Sequence, residues 1–294
     1  MSPRTPELLA LFGIVGVHLV PKLLQRLRIP APVSALLLGG LVARFVPGLG
    51  HDPTLSLLST IGIAALFLFA GLEVDAEVLG ERPALVVSGL VAHAVAIAAA
   101  TSFGVFGLNL DTAPAMLLAL GIVTPSGGFI LDGLAGLGAT PVERHAIRDT
   151  ALLAEILSLV LFFFVTQSTS FSQIVAGILG LVVLLGVVPL VLRFLVRVVV
   201  PHAPNSEFPL LVLTAIVGAY ATRRLNLYYL IGAFVVGIVA RRLRTEAPAL
   251  ASDRNLSAIE LFAAFFAPFY FARAGMEFDT SAFGLRGVGL GAVL

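Results

Sequence analysis

Glu155 is a single carboxylate inside 150-TALLAEILSLVLFFF-164, part of an apolar run that spans about 147–168. An ionised side chain near the centre of such a run costs roughly 2.5–3.5 kcal/mol on insertion scales unless it is paired or hydrated. A carboxylate kept there can hold a proton or a metal cation, but not both at once. Competition for that one group would couple the two ions. The plainer reading is a permanently protonated Glu bonded to a backbone carbonyl, with no ion traffic.

A second unusual stretch precedes it, in 113-APAMLLALGIVTPSGGFILDGLAGLG-138. Pro125 removes a backbone donor and crowds the preceding turn, while Gly127 and Gly128 loosen the next one, so the spacing predicts an unwound helix. Unpaired backbone at membrane depth is tolerated only where it is buried in protein or lines a cavity. The freed carbonyls and the hydroxyls of Thr124 and Ser126 are hard oxygen ligands, suited to a monovalent cation or to holding a carboxylate. A proline kink made only for packing is the alternative.

Other polar groups fall inside apolar runs. Arg273, in 268-PFYFARAG-275, keeps its charge at any working pH; it either neutralises Glu155 in an empty site or snorkels and anchors helix ends. His93, in 88-SGLVAHAVAIA-98, titrates near neutrality and is either an accessory to the same chemistry or a satisfied core residue. Asp132, seven residues past the break, either faces the cavity or caps a short helix. Glu207 and Glu260 sit at the ends of runs and read as interfacial. The chain has no cysteine, which excludes disulfides and thiolate metal sites. No Ser–His pair, paired Asp set or His-containing zinc motif converges, so an intramembrane hydrolase is a distant reading and no cofactor is expected.

The elements that must position these groups are membrane helices. Hydrophobic residues make up 59% of 294, charged residues 12%, and mean hydropathy is +1.05, far from the balance of soluble domains. Runs long enough to cross about 30 Å of hydrocarbon lie near 7–25, 32–47, 55–74, 84–103, 113–134, 147–168, 172–195, 207–223, 228–241 and 257–276, and an eleventh begins near 287. The first lacks the basic lead and small-residue cleavage pattern of a signal peptide. Odd-numbered connections carry twelve Lys and Arg, among them Arg193 and Arg197, against five for the N-terminus and the even-numbered ones. The excess predicts odd connections inside and the N-terminus outside.

The runs also repeat. Setting 35-ALLLGGLVAR-44 beside 232-GAFVVGIVAR-241 matches Gly40 to Gly237 and Arg44 to Arg241; setting 66-LFLFAGLEVD-75 beside 269-FYFARAGMEFD-279 matches Gly71, Glu73 and Asp75 to Gly275, Glu277 and Asp279. The second run thus resembles the ninth and the third the tenth. An odd displacement of seven puts the copies in opposite orientations, which predicts an inverted-topology repeat of the secondary-transporter kind. Shared glycine-rich composition is the plainer explanation.

These stretches resemble the monovalent cation:proton antiporter superfamily, in particular its second branch, the sodium/hydrogen exchanger family. The third-run motif 66-LFLFAGLEVD-75, 230-LIGAFVVGIVAR-241 and 269-FYFARAGMEFD-279 carry the likeness, which covers essentially the whole chain. It implies an all-α polytopic membrane protein of sodium/proton antiporter fold, with inverted repeats (about 7–168, and from about 207) and a discontinuous helix at TPSGG. It further implies exchange of protons for Na⁺ or K⁺ by alternating access, a homodimer formed through a rigid helical domain with the first runs and the seventh as candidates for its surface, a bacterial-type plasma membrane location, and no nucleic-acid partner. The resemblance gives Thr124, Pro125 and Ser126 a binding role and puts the family's carboxylate pair, usually Asp-Asp or Asn-Asp, on Ala154–Glu155. Alanine at the first position departs from that pattern. It leaves ion and stoichiometry open, with one-to-one exchange preferred, and makes a non-transporting sensor or regulatory subunit the runner-up. The copy of the broken run should follow the tenth by two, so the expectation is a fragment lacking roughly a hundred C-terminal residues and inactive in transport as it stands.

Overall fold

The computed structural model describes residues 5–24, 26, 29–46, 48–74, 83–124, 171–203, 205–224 and 230–278, together with 147, 150, 151, 154, 155, 157–162 and 165. Without water to bond a bare backbone, apolar runs of this kind close their hydrogen bonds internally as helices. The helices are α1 (Thr5–Leu24), α2 (Ala31–Phe45), α3 (Pro53–Glu73), α4 (Pro83–Ser102), α5 (Thr112–Val123), α6 (Phe171–Val198), α7 (Glu207–Arg224), α8 (Leu230–Arg242) and α9 (Asp253–Met276). No strand occurs among the described residues, and the described residues from 147 to 165 are helical. Among the described residues, Pro53–Glu73, Val87–Gly107, Ile178–Val198 and Asp253–Met276 are long and apolar enough to cross a bilayer.

The boundaries follow local chemistry. Asp52 caps α3, accepting from the Thr54 and Leu55 amides at 2.9 and 3.0 Å, with Pro53 in the first turn; this is where an N-terminus best tolerates proline. α9 starts four residues before the apolar run because the Ser252 hydroxyl accepts from the Asn255 amide. α6 runs past the expected end at 195 to Val198, so Arg193 and Arg197 belong to the helix and not to a connection. From there Arg193 donates twice to Glu246, at 3.0 and 2.8 Å.

One body is centred on α3, which packs against α8 on one side and α9 on another; α2 lies on α9, α7 on α8, and α1 on α2. Leu68, Leu72, Leu211, Val236 and Ile259 form its buried core, joined by Leu184, Val188 and Leu192 of α6. Two glycine seams let these helices touch backbone to backbone. A side chain at Gly39 of α2 would run into the Ala272 carbonyl, and one at Gly275 of α9 into the Leu36 carbonyl. In the same way Gly71 of α3 abuts the Phe234 carbonyl, and Gly237 of α8 abuts the Leu68 carbonyl. A second apolar cluster joins α4 and α5 through Ile97, Ala119 and Leu120, with Leu161 and Phe162 packed against it.

Candidate functional site

α5 ends where the sequence predicts a break. Thr124 leaves the helix with an extended backbone (φ −73°, ψ 114°), and its amide and hydroxyl both donate to the Leu120 carbonyl. The residue before a proline is pushed out of the helical region by the ring, so Pro125 accounts for the stop. Pro125, Ser126, Gly127, Gly128 and Asp132 lie outside the described residues. Val123 packs in the cluster with Leu161 and Phe162, which brings the end of α5 beside the Glu155 segment about two turns beyond the carboxylate.

Glu155 is helical and half-buried. Its neighbours Ala151, Ala154 and Ser158 are buried. Two polar groups approach this segment from other helices. The ring of His93 on α4 places Nε2 2.8 Å from the Ser158 hydroxyl, with the backbone of Ala154 close by. Glu73, the last residue of α3, is near enough for its charge to act on Glu155.

Arg273 is placed elsewhere. Its Nε donates to the Gly50 carbonyl and to Glu277, both at 3.0 Å, its Nη1 to the Ser56 hydroxyl at 3.0 Å, and its Nη2 lies 2.9 Å from the Glu277 carboxylate. Ser56 and Glu73 stand at opposite ends of α3, about 25 Å apart at 1.5 Å per residue. The structure therefore sets Arg273 at the far end of α3 from the Glu73–Glu155 neighbourhood, tying α9 to the start of α3. A cavity of about 650 Å³ opens there between α3, α7 and α9, with Ser59, Thr60, Tyr270 and Arg223 on its walls.

A family model described as the transmembrane sodium/hydrogen exchanger matches residues 9–294. The chain belongs to the sodium/hydrogen exchanger family. Among curated proteins none matches it. Membership makes the exchanger an integral membrane protein that moves a cation against protons, with Na⁺ and H⁺ the family's substrates.

Of the residues expected at an exchange site, the structure sets His93 against the segment that carries Glu155 and the end of α5 about two turns further along it, and leaves Arg273 apart. Two partners were not singled out from sequence. Ser158 follows Glu155 by three residues inside the same apolar run, where an isolated hydroxyl was a readable signal. Glu73 was noted only as a marker of the repeat; its place beside Glu155 depends on how α3 packs.

Proposed function

We propose that the exchanger swaps protons for Na⁺ or K⁺ at Glu155 beside the break after Thr124. The observation that carries this reading is the half-buried carboxylate among buried Ala151, Ala154 and Ser158, next to the helix that stops at Thr124. A group so placed can trade a proton for a cation without a second ion present at the same time, which is sufficient for antiport when access alternates. Thr124 and Ser126, with the carbonyls around Pro125, Gly127 and Gly128, supply the remaining oxygen ligands. Asp132 is an accessory group of the same route.

Support for alternating access comes from the paired seams. Gly40 of α2 against Gly275 of α9, and Gly237 of α8 against Gly71 of α3, are contacts between sequence-matched glycines. Inverted repeats would bring them together in this way, and two mirrored halves can exchange conformations around a midplane site. The excess of Lys and Arg in odd connections supports an N-terminus outside. The apolar outer faces of α1 (Val15, Leu19, Leu23) and α6 (Leu179, Val183, Leu190) are exposed and suit the homodimer contact.

The reading is tested in proteoliposomes of the intact gene product, by dequenching of a pH-sensitive dye after addition of Na⁺ or K⁺. The expected result is cation-dependent proton movement in the wild type that is lost in Glu155→Gln. Equal traces for the two proteins would remove Glu155 from the mechanism, and an absence of flux in both would favour the sensor or regulatory reading.

A further inference from the structure

On α4, Gly89, His93 and Ile97 recur every four residues and so share one face. On the Glu155 segment, Thr150, Ala154 and Ser158 do the same, and the two faces meet. A side chain at Gly89 would come within 3.0 Å of the Thr150 methyl, so the helices nearly touch. One turn on, His93 reaches the Ser158 hydroxyl at 2.8 Å, beside the Ala154 backbone. A further turn on, Ile97 packs in the cluster that includes Leu161 and Phe162. The middle contact is the polar one. Ala154 and Ser158 are each 5% exposed, so the bond between Ser158 and His93 is sheltered from competing water.

Glu155 follows Ala154 directly, and one residue is about 100° of helix rotation. The carboxylate is therefore directed off the contact face, and its aim is fixed by whatever fixes the turn from 154 to 158. We propose that His93 is a positioning residue of the exchange site, clasping that turn so that Glu155 keeps one orientation. This rests on the reading of Glu155 as the ion carrier. An apolar side chain at 93 would fill the same space but would let the turn roll, because dispersion contacts carry little directional preference. A ring nitrogen hydrogen-bonded to a buried hydroxyl on that turn does not permit that.

The test compares wild type, His93→Ala and His93→Gln in proteoliposomes of the intact gene product. A side-chain amide can donate to or accept from the Ser158 hydroxyl, so His93→Gln restores what His93→Ala removes. The loss of one sheltered hydrogen bond corresponds to about a three- to tenfold rise in the cation KM for His93→Ala, with the maximal rate much less affected and KM recovered in His93→Gln. The position of residue 155 is read independently of transport. Residues 1–294 hold no cysteine, so Glu155→Cys, read against a parent protein without it as the blank, is the reporter, and its alkylation rate should change severalfold when His93→Ala is added and return with His93→Gln. An unchanged alkylation rate, or a Gln variant that behaves like Ala, overturns the proposal. A lower melting temperature with unchanged KM and unchanged alkylation does so too, since that is a packing role. Exchange that survives in Glu155→Gln overturns the carrier reading, whereas the alkylation result still decides what His93 does.

Discussion

The two ends of α3 carry related sequences in different company. At its start, Glu277 and Arg273 from α9 pair with each other one turn apart and tie to Gly50 and Ser56. At its other end stands Glu73, the repeat counterpart of Glu277, with Phe69 where the match would put Arg273. There the neighbouring charge is Glu155. The first end resembles a bolt: opposite charges, local hydrogen bonds, and two helices held. The second sets two carboxylates within reach of each other's charge, an arrangement that favours a proton or a cation on either one. One sequence motif has thus been placed in two roles, decided by the residue one turn before it and by the helix packed opposite.

Substitutions at the seams should break both ends alike, and these are the largest effects. Gly71→Val and Gly275→Val each force a side chain into a facing carbonyl. Each should lower stability by about 3 kcal/mol or more, seen as a loss of monodisperse protein in detergent and of melting temperature. Normal behaviour of either variant would show that the close approach is not required.

The charges, by contrast, should separate the ends. Glu73→Gln removes the negative neighbour of Glu155, so the cation KM of exchange should rise about threefold to tenfold at unchanged melting temperature. Arg273→Ala should do the reverse. Its partner Glu277 is 40% exposed, so screening limits the ion pair, and the stability loss should be about 1 kcal/mol with little change in KM. If Arg273→Ala raised KM and left stability alone, the bolt would have to be redrawn as part of the ion route.

The smallest effect concerns a pair outside this comparison, between α6 and the turn after α8. The Arg193 guanidinium, by hydrogen bonding and charge, holds the Glu246 carboxyl below its ordinary range. A group whose pKa is depressed on folding contributes stability above its unfolded value, about 4.3, and loses it as pH falls through the folded value. Wild type should therefore lose slightly more melting temperature than Glu246→Gln as pH is taken from 6 to below 4. Both groups are exposed, and high salt should reduce the difference.

Much of the fold was legible because each span is set by local hydropathy. The expected run 55–74 became Pro53–Glu73 and 207–223 became Glu207–Arg224, since an apolar stretch in lipid has helix as its way to satisfy its own backbone. The shifts came from caps and charges. Ser252 started α9 early, and Arg193 stayed in α6 because its long side chain can reach Glu246 from within the helix. At the site, the stop at Thr124 was readable from Pro125, while Arg273 was open between counter-charge and anchor. Its partners Gly50 and Ser56 lie more than 200 residues away in sequence, so no local pattern could name them.

Sequence by itself determined that this is a helical membrane protein with a carboxylate inside an apolar run and a helix that ends before a proline, because hydropathy, proline geometry and charge act within a few residues. Only the tertiary structure decided that His93 meets Ser158, that Glu73 comes within range of the Glu155 charge, and that Arg273 turns to Gly50. Those pairings depend on which helix faces which and at what rotation. That is settled by close packing along the glycine seams, a property of the assembled body that no single stretch contains.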